Sequence, residues 1–107
     1  MIPSTNLSET VNFFKETLGF STVMENEGYA VCQKDKLTLH ILRAGEAIGE
    51  MELYLEVDHV DNLWAAIKDK LTSLNYKEPF DQDYGMQEIH ICIPHTKALL
   101  FIGQKLR

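Results

Sequence analysis

The chain has 107 residues, 45% of them apolar and 24% charged, which is the make-up of one small folded domain and not of a disordered or fibrous chain. Sixteen acidic residues against ten basic ones give a net charge of −6, a balance that disfavours nucleic-acid backbones and suits a cationic small molecule. No apolar run reaches the roughly 20 residues that cross a bilayer, and the start lacks the basic and apolar segments of a secretory signal, so the sequence predicts a cytoplasmic protein with no membrane partner.

A domain of this size buries a real core but gains from the extra burial of a homodimer interface. Cys32 and Cys92 stand far apart in β-like runs and form no CxxC pair. Neither a zinc nor a redox motif is present, and both are expected as buried free thiols.

The first residues, Ile2, Pro3 and Ser4, read as a short extended stub. Asn6 offers a helix N-cap, and Glu9 three residues on completes a capping-box pattern. Leu7, Val11, Phe14 and Leu18 follow at helical spacing, and Gly19 supplies the stop. Three short strands are then predicted, over 21–25, 29–33 and 37–42, separated by turns at 26–28 and 34–36. Residues 43–49 read as a connector.

The second half repeats that order. Residues 50–58 alternate, with Met51, Leu53, Leu55 and Val57 on one side and Glu50, Glu52, Tyr54, Glu56 and Asp58 on the other. Val60, Leu63, Trp64, Ile67 and Leu71 recur at helical spacing. Short strands are predicted over 75–79, 88–93 and 98–104, with a polar loop at 80–86 and a turn at 94–97. Strand, helix and three strands, taken twice, predict an internal duplication, with module one over about 1–45 and module two over about 50–107. The fold class expected is α+β.

Three stretches, Ile2-Pro3-Ser4-Thr5-Asn6-Leu7 with Val11-Asn12-Phe13-Phe14 and Leu18-Gly19-Phe20, then Tyr84-Gly85-Met86-Gln87-Glu88, then Ala98-Leu99-Leu100-Phe101-Ile102-Gly103-Gln104, carry a family likeness in their order. They resemble the glyoxalase, bleomycin-resistance and dioxygenase (vicinal oxygen chelate) superfamily, specifically its bleomycin-resistance branch. Leu37-Thr38-Leu39-His40-Ile41 matches the last strand of that family's first module. The resemblance implies two tandem βαβββ modules whose curved, mostly antiparallel sheet encloses a cavity. The family's "DPDGN" turn is replaced here by Ile93-Pro94-His95-Thr96-Lys97, and the opening strand is short.

Enzymes of the superfamily hold a divalent ion with His and Glu side chains. The resemblance places the first module's opening ligand before Met1, the second's at Glu52, another at His40, and the last at Leu100, where the metal enzymes carry Glu. A catalytic ion needs about three protein ligands, and His40 and Glu52 alone remain. The reading is therefore a protein without a cofactor. The alternative is a glyoxalase- or dioxygenase-like enzyme using Zn, Ni, Mn or Fe.

His90 follows Glu88 by two residues on a strand, so the pair share a face. The preferred reading is a histidine on a solvated or interfacial sheet face; a general acid/base pair is the other. His59 and His95 read as helix-start and loop residues. Residues 44–67 hold six acidic side chains and no Lys or Arg. By the resemblance, Glu52, Tyr54 and Glu56 face the concave side, and Tyr29 and Tyr84 stand where bleomycin-binding relatives place groove aromatics. The ligand-binding candidates are thus Tyr29, His40, Glu52, Tyr54, Tyr84, His90 and Leu100, around a small, flat, cationic ligand in a cavity at a dimer interface. A scaffold module with no ligand is a third reading.

Overall fold

Two runs of alternating strands, each led by a short strand and an amphipathic helix, sort into two four-stranded sheets in a computed structural model that describes residues 1–45 and 47–106. Glu46, in the expected connector, and Arg107, at the end of the second module, lie outside the described residues. The chain divides into two compact units, one over Met1–Glu50 with Ile93–Lys97, the other over Met51–Cys92 with the residues from Ala98 onward.

In the first unit β1 (Ile2–Ser4) lies parallel to β4 (Leu37–Arg43), and β3 (Tyr29–Lys34) and β2 (Ser21–Glu25) continue the sheet antiparallel, in the order β1-β4-β3-β2. Helix α1 (Leu7–Asn12) begins at Asn6, whose side-chain oxygen accepts the Glu9 N–H at 3.3 Å. The expected cap is observed, but the helix is not uniform. From Phe13 to Thr17 it widens into a π-helical turn, and both Phe13 and Phe14 are buried. Ile2, Leu7, Val11, Ala30, Cys32 and Ile41 complete this core.

Two buried hydroxyls tie segment 93–97 to this unit. Thr10 donates its only hydroxyl proton to the Pro94 carbonyl at 2.9 Å, so Ser4 Oγ, 2.6 Å away, is the donor to Thr10. The His95 carbonyl accepts the Thr5 N–H at 2.8 Å.

In the second unit β5 (Met51–Glu56) runs parallel to β8 (Ala98–Lys105), followed by β7 (Met86–Cys92) and β6 (Tyr76–Asp81), in the order β5-β8-β7-β6. Helix α2 (Val60–Ile67) ends in one 3₁₀ turn and packs on β6, β7 and β8. Val60, Ile67, Leu71, Ile89, Ile91, Leu100 and Ile102 are all buried at 2% exposure or less. The first N–H of α2 is satisfied from afar, by Gln104 Oε1 at 2.6 Å from Val60 N.

Strand β6 corrects the expectation that a strand stops at Pro79. It continues through Phe80 to Asp81, with a register shift between Lys77 and Phe80. A proline has no N–H for a ladder, and an irregularity on an edge strand is where it is tolerated. Cys92 corrects another expectation. It lies on the same side of β7 as Glu88 and His90 and is exposed, whereas Cys32 is buried, and both thiols are free.

Candidate functional site

Strand alternation gives the second sheet two unlike faces. Ile89 and Ile91 of β7 and Leu100 and Ile102 of β8 are buried on the helix side. The register sets Glu52 beside Leu99, Tyr54 beside Phe101, His90 beside Phe101 and Glu88 beside Gly103, which gathers these side chains on the opposite face. Leu100 therefore does not stand on that face; its neighbours Leu99 and Phe101 do.

At the centre of that face is Glu88, a carboxylate with 0% exposure on a sheet side otherwise rich in exposed groups. Four side chains donate to it. Tyr54 and Tyr84 hydroxyls reach Oε2 at 2.8 and 2.5 Å, while Gln82 Nε2 and His90 Nε2 reach Oε1 at 3.0 and 2.9 Å. Burial pushes the Glu88 carboxyl up, but the hydrogen bonds from His90, Tyr84, Gln82 and Tyr54 outweigh it and hold the group down at about 2. The tyrosines answer in the opposite direction. The Tyr84 hydroxyl is pushed up to about 12, first by its bond to Glu88, and Tyr54 is raised by burial and then by the same carboxylate.

The ionised carboxylate accepts and cannot donate, so His90 must carry a proton on Nε2. Its neutral form then has a lone pair on Nδ1. The imidazole lies flat on Phe101, with centroids 3.9 Å apart and planes 16° from parallel, and meets the Phe80 ring edge-on at 4.9 Å. Lys77 Nζ sits 3.9 Å above the other ring of that contact, Phe80. His90 thus lies on the open face of the sheet, 18% exposed and hydrogen-bonded to Glu88.

Two glycines make the arrangement possible. A Cβ on Gly103 would fall 2.0 Å from the Tyr54 hydroxyl, so only glycine lets that hydroxyl reach Glu88 across the ladder. Gly85, at φ +84°, turns the chain straight after Tyr84 and lets the ring fold back over the carboxylate four residues on. Beside this hub Glu52, Leu53, Tyr54, Tyr84 and Phe101 line a cavity of about 400 Å³. Tyr54 and Tyr84 remain 43% and 61% exposed, so their rings are open to a ligand while their hydroxyls are committed.

The other two candidates belong to the first unit. Tyr29 hydroxyl and His40 Nδ1 share a hydrogen bond of 2.5 Å, with rings edge-on at 5.6 Å, and the same hydroxyl reaches Met1 Sδ at 3.3 Å. The expected site residues thus fall into two groups: Glu52, Tyr54, Tyr84 and His90 in the second unit, and Tyr29 and His40 in the first. Glu88, Gln82, Phe101 and Gly103 were not among them. Only the spacing of Glu88 and His90 offered a signal for the hub.

Glu52 has Leu99 as its register partner, with Phe101 two residues further along the same face, and neither side chain can ligate. His40 Nδ1 shares a hydrogen bond with the Tyr29 hydroxyl, and Nε2 is its remaining ring nitrogen. Among the described residues, no three His, Cys, Asp or Glu side chains come together.

No protein-family model matches the sequence, and no curated protein sequence matches it. Solved structures do match. A bleomycin-binding protein complexed with bleomycin is 22% identical, with 97% of this chain covering 93% of that one at a TM-score of 0.81. A glyoxalase/bleomycin resistance protein/dioxygenase from Nocardioides is 14% identical, with coverages of 99% and 80% and a TM-score of 0.80. A lactoylglutathione lyase from Agrobacterium tumefaciens is 12% identical, with coverages of 96% and 88% and a TM-score of 0.78. The chain has the α+β fold of the glyoxalase and bleomycin-resistance proteins, as its motifs implied. No helix among the described residues is long and apolar enough to cross a membrane.

Proposed function

We propose that this chain is a metal-free binding protein that sequesters a small, flat, cationic molecule, with a second copy closing the site as a homodimer. The observation that carries the reading is the cavity of about 400 Å³ walled by the rings of Tyr54, Tyr84 and Phe101 with the Glu52 carboxylate at its side. Apolar and aromatic walls with one or two placed charges are the usual make-up of a small-molecule site. Aromatic faces and a carboxylate both attract a planar cation. Because Glu88 already fixes both phenol hydroxyls, the rings need little ordering when a ligand arrives, which favours affinity. The bleomycin-binding neighbours support the coarser part of it, a small-molecule-binding role. The two free thiols suit the reducing cytoplasm.

The test is a thermal-shift titration with bleomycin and with a simple planar aromatic cation. A ligand that binds only the folded chain stabilises it by about 2.7 kcal/mol at a hundred times its Kd. Glu52→Gln and Tyr84→Ala should each weaken the shift, and added salt should weaken it in the wild type but less in Glu52→Gln. A shift that is equal for a neutral isostere of the cation overturns the charge argument. No shift with either probe overturns the binding reading, and one tightly held divalent ion per purified chain overturns the metal-free part.

A further inference from the structure

We propose that Glu88 and His90 form a general-base dyad, in which His90 Nδ1 removes a proton from a flat carbon acid lying against the aromatic face of the second sheet. The proposal rests on the reading of this face as a small-molecule site and adds chemistry to it. Four observations support it, all within the second unit.

The first is the tautomer. Glu88 accepts four hydrogen bonds and holds the imidazole proton on Nε2, so the basic lone pair sits on Nδ1. The second is access. The His90 side chain keeps 18% exposure where Glu88 keeps none, and among the described residues no hydrogen bond is drawn to Nδ1. The third is rigidity. Phe101 below and Phe80 at the edge fix the ring plane, so a base does not have to be ordered at each encounter. The fourth is the charge behind the ring. A buried carboxylate on Nε2 stabilises the imidazolium that forms when Nδ1 takes a proton, the service a triad aspartate gives its histidine.

The surrounding groups do not compete for Nδ1. Tyr54 and Tyr84 hydroxyls are spent on the far oxygen of Glu88, and Lys77, opposite His90 in the ladder, lies over Phe80. His90 is the catalytic residue of this scheme, and Glu88 is a positioning residue.

A planar probe, 5-nitrobenzisoxazole, makes the step measurable. Nδ1 takes the ring C–H proton, the C–H electron pair becomes the third bond of a nitrile, and the N–O bond breaks to leave a phenolate. No oxidant, reductant or metal is needed, and water then removes the proton from the imidazolium. General-base catalysis contributes typically about 10²–10⁴-fold. The wild-type protein should exceed His90→Gln, which keeps an amide donor for Glu88, by tenfold or more. Nitrogen NMR of the wild type should show neutral His90 as the Nε2–H tautomer, and Glu88→Gln should lose that preference along with the rate. Equal rates for wild type and His90→Gln, or an Nδ1–H tautomer in the wild type, overturn the dyad. Binding of the unreactive 5-nitroindazole, read by thermal shift, separates the two readings. A stabilised protein without His90-dependent elimination sinks the dyad and leaves the binding site. Elimination that depends on His90 in a protein that binds no cation keeps the dyad and removes sequestration.

Discussion

A Cβ placed on Gly103 would lie 2.0 Å from the Tyr54 hydroxyl oxygen and 2.8 Å from the ring carbon that bears it. Neighbouring strands therefore meet there without a side chain so that a phenol can cross Gly103 to reach Glu88. Gly103→Ala should destabilise the fold by about 1–3 kcal/mol, the usual cost of overpacking, because the phenol must give up the carboxylate. In a Tyr54→Ala background the same change should cost much less, since the two closest atoms are gone and only Glu88 Cγ, at 3.2 Å, remains. Denaturant unfolding of the four proteins measures the coupling. An equal cost in both backgrounds would show that the steric relationship is not what selects glycine.

The Glu88 carboxylate also predicts how stability depends on pH. Its folded pKa of about 2 lies below the ordinary 4.5, because four donors outweigh the burial that opposes them. Between those values the unfolded chain binds the proton more readily. The stabilisation is therefore complete above about 4.5 and is lost as pH falls through about 2. At 1.36 kcal/mol per pH unit the difference is on the order of 3 kcal/mol. Glu88→Gln should be less stable near neutrality, and its stability should fall less steeply than the wild type's between pH 5 and 2. Parallel curves for the two proteins would remove Glu88 from the acid response.

Ultraviolet titration of the phenols checks the same hub from the other end. The chain has four tyrosines, and only Tyr54 and Tyr84 donate to the buried carboxylate. In the wild type Tyr84 should ionise late, at about 12, and Tyr54 should be delayed as well. Glu88→Gln should bring both down toward the ordinary phenol value. Identical phenol titration curves for the wild type and Glu88→Gln would contradict the hydrogen bonds drawn to Glu88.

The helices and strands were legible because their signals are local. Asn6 with Glu9 announced the α1 cap, and the alternation from Met51 to Glu56 announced which side of β5 would be exposed. The π-helical turn at Phe13 was not legible, because it is set by how two adjacent phenylalanines share one core and not by their spacing. Leu100 is buried on the helix side, because in a strand one residue reverses the face, and spacing from a motif does not fix that register. Glu88 and His90 could be paired from their two-residue spacing. That Gln82, Tyr54 and Tyr84 would close on the same carboxylate depends on a turn at Gly85 and a missing Cβ at Gly103, which no periodicity announces.

The two thiols give the last prediction, since they occupy opposite environments in strands of the same order within each unit. Cys32 is fully buried and its thiol is raised by burial and then by the Glu25 carboxylate, so it presents little thiolate and no path for a reagent. Cys92 is exposed at the end of β7, two residues beyond His90. An aromatic disulfide reagent should therefore label one thiol per folded chain quickly, and peptide mass mapping should place it at Cys92. Cys32 should react only as the first unit opens, slower by on the order of a hundredfold or more. A second copy lying over this face would make the Cys92 rate fall as protein concentration rises, while the slow Cys32 rate stayed tied to unfolding. Rapid labelling of Cys32, or a buried Cys92 in dilute protein, would mean that the two faces of these sheets are assigned the wrong way round.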